Sequence, residues 1–318
     1  MIRLITACII TAVLATPAHA QDFPKQTIRI IIPFTPGGSN DVIGRELAAG
    51  FQARWSQSAV VENRPGGGGT PAYAFVAKSP PDGHLLLIAP VSFTIIPHLS
   101  KAPLFNPLTE FAPINMVADV PFVMVVPADV PARSVQEFVA LAKASPGKLA
   151  YASVGVGTPQ HLGAELFKMH AGVDLIHVPF RGALAAIPDL VAGRVQMFVG
   201  AINSLLPLIK EGKLRALASA GLKRIPSLPD VPTMAELYPG FEIGSGVGLV
   251  APAGTPAPIV DALNRATAEV IASQGFRQRM ANISVEVVGT TPAEHAKMIA
   301  DDYARWGRVV AAAGIKPE

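Results

Sequence analysis

Short runs rich in Ile, Val, Leu and Phe recur along the chain, separated by stretches in which apolar residues return every three or four positions. The runs at 27–33, 59–62, 85–89, 122–126, 149–153, 175–179, 195–200, 214–220, 247–251 and 285–288 predict strands, because β-branched and aromatic side chains suit a half-buried pleated surface. The spacing over 42–51, 135–143, 161–170, 185–192 and 258–273 predicts amphipathic helices. Strands alternating with helices predict an α/β chain with mostly parallel sheets.

Several strands run into glycine and small polar residues just ahead of a helix. One such segment is Pro33-Phe34-Thr35-Pro36-Gly37-Gly38-Ser39-Asn40-Asp41 and another is Ser153-Val154-Gly155-Val156-Gly157-Thr158-Pro159. In open α/β sheets, ligands gather at the carboxyl ends of strands, where helix starts present unpaired N–H groups. A helix amino end carries about half a positive charge, so it holds a carboxylate or phosphate without Lys or Arg. Two such loops about 120 residues apart suggest one ligand held between two lobes. An ordinary capped helix explains each loop taken alone. No repeated sequence unit is visible, so duplication is not inferred.

Length, 318 residues, predicts about two domains. Residues 1–20 read as a cleavable secretory signal, with Arg3, an apolar run from Leu4 to Ala15, and Ala18-His19-Ala20 before Gln21. An apolar run of about a dozen residues is short of the roughly 20 that cross a bilayer. The single cysteine, Cys8, falls inside this leader. The mature chain is therefore expected to have no disulfide, zinc-thiolate site or thiol nucleophile. The leader lacks twin arginines, so export as an unfolded chain without cofactor is expected.

With 50% hydrophobic and 15% charged residues the chain is too apolar to be intrinsically disordered. Its 28 Gly and 30 Pro supply many turns. A formal net charge of +3 is too small and dispersed to build a basic stripe, which argues against a nucleic-acid binder.

Other motifs fail specific tests. The glycine-dense segment Glu62-Asn63-Arg64-Pro65-Gly66-Gly67-Gly68-Gly69-Thr70 lacks the Gly-Lys-Ser/Thr ending of a P-loop, leaving an N–H-rich wall for a small anion or a mobile loop. Gly155-x-Gly157 resembles the start of a dinucleotide fingerprint, but Gln160 stands where glycine or alanine is required. Ile243 spoils a Gly-x-Ser-x-Gly elbow around Ser245. No His-x-x-x-His pair occurs, so no metal is expected. Arg181 is either a bidentate partner for a carboxylate or a solvated loop cation, and Phe34 either stacks on a ligand or fills the core.

Together, Pro33-Phe34-Thr35-Pro36-Gly37-Gly38 with Asp41 and Arg45, Val61 to Gly66 with Gly68-Gly69-Thr70, Pro81-Asp82-Gly83, Tyr151-Ala152-Ser153 with Gly155, Gly157 and His161-Leu162, His177 to Gly182, Asp230-Val231-Pro232-Thr233 with Glu236, and Ala251 to Pro256 resemble the periplasmic solute-binding proteins of tripartite tricarboxylate transporters, the Bug or TctC type. The resemblance spans nearly the whole mature chain. It implies a two-lobed α/β fold of the type II periplasmic-binding-protein kind, with 21–122 plus 247–318 as one lobe and 123–246 as the other. The cleft between them would close on a small carboxylate: a di- or tricarboxylate, an acidic amino acid or an aromatic acid. Residues 122–126 and 247–251 would be the crossing strands.

On the matching positions, Phe34, Gly38, Ser39, Asn40, Gly67, Gly68 and Ser92 would contact ligand from one lobe, and Ser153, Gly157, Thr158, His161, Arg181 and Gly182 from the other. The implied protein is a periplasmic monomer that is not an enzyme and passes its ligand to membrane transporter subunits. Two positions depart from the pattern: Gly246 stands where relatives often have tryptophan, and Gln196 where an acidic residue is common. A sensory role toward a membrane kinase is one alternative. A secreted enzyme using His161 with Glu165 or Asp41 as acid and base is the other.

Overall fold

The computed structural model describes residues 23–312. The signal-peptide expectation concerns residues outside that span. The strands are β1 (Ile28–Ile32), β2 (Ala59–Asn63), β3 (Leu85–Pro90), β4 (Phe111–Pro127), β5 (Ala150–Ser153), β6 (Ile176–Pro179), β7 (Met197–Ala201), β8 (Leu214–Ser219), β9 (Gly244–Pro252) and β10 (Glu286–Val287). The helices are α1 (Ser39–Trp55), α2 (Thr70–Ala77), α3 (Ser92–Ile95), α4 (Val135–Ala144), α5 (Pro159–Ala171), α6 (Ala183–Val191), α7 (Ile202–Lys210), α8 (Met234–Leu237), α9 (Ala257–Ala272), α10 (Gln274–Asn282) and α11 (Pro292–Ala312).

Each apolar run expected to be a strand lies in or over one. The side-chain period of two explains how β1 is covered on both faces. Ile28, Ile30 and Ile32 join the cluster that includes Ile43, Leu47 and Phe51 of α1, while Ile31 joins Tyr73 and Val76 of α2 on the other side. In β4 the same alternation sends Val123 and Val125 into one core and Phe122, Met124 and Val126 into another.

The strands form a ladder in the order β2-β1-β3-β9-β4-β7-β5-β6, with β10 and β8 also on β4. Its two wings share one topology. In the first, β1 lies between β2 and β3 and pairs in parallel with both; in the second, β5 lies between β6 and β7 in the same way. Each wing thus has a switch point beside its central strand, where successive connections depart in opposite directions. This repeat of topology has no counterpart in the sequence. Every antiparallel pair among the described strands involves β4 or β9.

Strand β4 joins the wings. Phe111 to Pro121 pair with β9, and from Phe122 onward the strand pairs with β7 and β8. Only its second part reads as a strand in the sequence, because Pro113, Asn115, Asp119 and Pro121 interrupt the first. The register slips between Pro113 and Asn115, which accommodates those two residues, and again between Met116 and Ala118, while Asp119 and Pro121 pair in register with Gly246 and Gly244.

Candidate functional site

The loop from β1 to α1 is built to leave a helix end open. Gly38 is the N-cap of α1 and contributes no side chain, so the first-turn N–H groups are uncapped. Asp41 in that turn instead faces backward: its carboxylate accepts from the Gly37 N–H at 3.0 Å, from Arg45 at 2.9 and 3.1 Å, and from Asn63 Nδ2 at 2.9 Å. Burial alone would raise this carboxyl, but bonds from Arg45, Gly37 and Asn63 outweigh it and hold Asp41 below its ordinary value. Asn63 also donates to the Phe34 carbonyl at 3.0 Å. The loop is therefore braced from behind.

Beside it, Gly66, Gly67, Gly68 and Gly69 all have positive φ, between 52° and 125°, a path open to consecutive residues only when they lack Cβ. Tyr73 holds this turn, its hydroxyl reaching the Gly68 carbonyl at 3.3 Å and Ser92 Oγ at 2.6 Å.

The second wing presents three helix starts. Thr158 caps α5, Gly182 α6 and Ala201 α7, none with a side-chain cap bond. The turn before α5 is held by its own polar groups. Thr158 Oγ1 donates to the Gly155 carbonyl at 2.7 Å, the Gly155 N–H donates to Ser153 Oγ at 3.1 Å, and that oxygen lies 2.6 Å from His177 Nε2.

His177 is stacked between Tyr151 and His161, with ring centroids 4.9 and 4.4 Å away. Burial, with His161 alongside, lowers its imidazole to about 4, and burial also lowers His161, against the opposing pull of Glu165. Glu165 itself would be raised by burial, yet bonds from Tyr151 and Lys168 bring it below its ordinary value.

These loops enclose a narrow cavity of about 50 Å³. Its walls include Gly38, Ser39 and Asn40 at the start of α1, Pro159 and Gln160 of α5, Gly182, Ala183 and Leu184 of α6, and Ala201 and Ser204 of α7. Four helix amino ends, each about half a positive charge, thus converge on one space. No lining residue is ionisable. The side-chain oxygens of Asn40 and Gln160 are buried without a hydrogen-bond partner among the described residues, so polar capacity remains unused in this wall. A larger hollow of about 470 Å³ adjoins it through the shared lining residues Phe34 and Val154.

Of the residues expected to make contact, Phe34, Gly38, Ser39, Asn40, Ser92 and Gly182 line the narrow cavity, and Phe34, Gly67, Gly68 and Arg181 the larger one. Ser153, Gly157, Thr158 and His161 line neither. They lie behind the wall, where His161 Nδ1 accepts from the Gly157 N–H at 3.4 Å and the two hydroxyls tie down Gly155. Thr35, Gln160, Leu184, Ala201 and Ser204 line the cavity although none was a candidate contact in the sequence. The small residues Gly200-Ala201 ahead of Asn203-Ser204 were the available signal for α7, obscured by Pro207 inside that helix.

Neither departure from the family pattern lines these hollows. Gln196 bridges the Ala150 N–H and the Gly193 carbonyl at the end of the sheet, and Gly246 lies beside Met116. Among the described residues there is no group of three or more His, Cys, Asp or Glu able to hold a metal, and no helix long and apolar enough to cross a membrane.

Residues 43–315 match the family described as tripartite tricarboxylate transporter family receptor. The chain is 36% identical to Protein BugT of Bordetella pertussis over 319 residues, spanning 99% of this chain and 98% of BugT. The solved periplasmic binding protein BugD superposes with a TM-score of 0.89 at 32% identity, covering 93% of this chain and 100% of BugD. Rpa4515 of R. palustris, solved with adipate, also gives 0.89, at 33% identity and with 93% and 100% covered.

Proposed function

Because this chain belongs to the tripartite tricarboxylate transporter receptor family, whose members are solute-binding proteins and not enzymes, we propose that it captures a small carboxylate in the periplasm and delivers it to transporter subunits in the membrane. Of the described residues, 23–122 with 247–312 act as one lobe and 123–246 as the other, hinged where β4 passes between the wings. The observation that carries this reading is the convergence of four uncapped helix amino ends on one cavity without an ionisable lining residue.

A carboxylate there exchanges water for oriented N–H donors and dipoles, with no bond made or broken. Ser39, Asn40, Gly182 and Ser92 are its proposed contacts, joined by Gln160 and Ser204. Ser153, Gly157, Thr158 and His161 keep the second wall in shape. Adipate in Rpa4515 supports the ligand class.

Native mass spectrometry of freshly purified protein, followed by calorimetric titration with dicarboxylates, acidic amino acids and aromatic acids, tests capture. Stoichiometric binding of at least one is expected, and silence across the panel would refute it. Uptake of the bound acid by cells carrying the membrane subunits, with and without this protein, tests delivery.

A further inference from the structure

The lining of the larger hollow differs in character from that of the narrow cavity. Ile96, Leu99, Leu104 and Phe105 face it from the first wing and Val156 and Phe180 from the second. Leu104 and Val156 are 61% and 56% exposed, large apolar side chains left open to solvent on both sides of the same cleft. Arg181 is the hollow's single ionisable lining residue, and it is exposed. The volume, about 470 Å³, is roughly three times the ~150 Å³ hollow that admits a benzene ring.

A carboxylate seated at the helix ends leaves the rest of its molecule to pass Phe34 and Val154 into this apolar space. A second carboxylate, hydroxyl or ammonium group there would trade its full hydration for the exposed Arg181, the hydroxyls of Thr70 and Ser100 and the Gly66 to Gly68 turn, with apolar side chains over most of the rest of the lining. An aryl or alkyl body gains by being covered. Resting on the carboxylate reading above, we infer that the ligand is a monocarboxylic acid with an apolar body, its head in the narrow cavity and its body in the larger hollow.

Calorimetric titration of the whole mature protein with acetate, succinate, adipate, phenylacetate and heptanoate separates head from body. Phenylacetate or heptanoate is expected to bind at least about tenfold tighter than acetate and succinate, and tighter than adipate. Leu104→Asp and Val156→Asp, both at exposed positions, are expected to weaken that binding at least about fivefold with unchanged thermal melts. Succinate or adipate binding more tightly than both apolar acids would overturn this inference and leave the carboxylate reading standing. So would apolar-acid affinity that both aspartate variants leave unchanged. Failure of all five acids would instead strike the carboxylate reading itself.

Discussion

Replacing Gly68 by alanine tests whether the two wings must approach each other to hold a ligand. Gly68 has φ +64°, and a Cβ placed on it would lie 2.7 Å from the Val156 carbonyl oxygen of the opposite wing and 2.9 Å from Ile96 Cδ1. The Ile96 methyl can swing aside, but the Val156 oxygen is backbone and cannot. The left-handed backbone costs alanine about 1–2 kcal/mol whether or not the wings meet. The overlap with Val156 adds about 1–3 kcal/mol only when they do, which is about 5- to 150-fold in affinity.

Gly193→Ala separates the two costs, because Gly193 has φ +70° with nothing within 4 Å of its would-be Cβ. Both variants are expected to melt slightly below wild type. Only Gly68→Ala is expected to bind more weakly, as measured by calorimetry with the tightest acid of the panel. Equal affinities in the two variants would refute the reasoning.

Other substitutions test the bracing of the site. Asp41→Asn turns one of the two carboxylate oxygens that accept from Gly37, Arg45 and Asn63 into an N–H donor facing those donors, and is expected to cost about 1–3 kcal/mol in a urea melt and to weaken binding; an unchanged midpoint would contradict that. Tyr73→Phe leaves Ser92 Oγ and the Gly68 carbonyl without their hydroxyl partner, and is expected to lower stability by about 1–3 kcal/mol, read as a drop in melting temperature.

Acid should also destabilise the fold. His295 is 1% exposed, and burial lowers it from 6.5 to about 4. The unfolded chain takes up a proton as pH falls below 6.5 while the folded chain resists until about 4, so stability is complete above that window and is lost through it. The expected slope is about 1.4 kcal/mol per pH unit for this histidine, with a smaller addition from the partly exposed His177. Urea midpoints between pH 7.5 and 4.5 measure it; His295→Gln should flatten the slope, and a flat wild-type profile would exclude the effect.

Much of the architecture was legible because local chemistry and tertiary role agree. The isoleucines of β1 form a strand by propensity and are buried for the same reason they are apolar. Gly66 to Gly69 announced a backbone path that residues with Cβ avoid, and positive φ is what the structure displays there. The candidate site was legible only in part. Thr158 and Ser153 have hydroxyls suited to a ligand, yet each spends its oxygen on the turn around Gly155. Gln160 spoiled a nucleotide fingerprint and so gave no positive signal, although it lines the cavity. Which way a polar group points depends on neighbours far away in the chain, and local pattern does not encode that.

From the residues alone came the alternation of strand and helix, the glycine-rich turns at strand ends, and the resemblance that spans both halves. All of these are short-range consequences of side-chain shape and backbone freedom. Only the folded chain decided that the crossing strand would begin as early as Phe111 and pair first with β9, that both wings would repeat one strand order, and that four helix starts would face a single space. Those outcomes arise from pairing and packing between segments distant in sequence, such as Asp119 opposite Gly246 and Gly68 against Val156, whose free energy exists only after the chain has closed the loops between them.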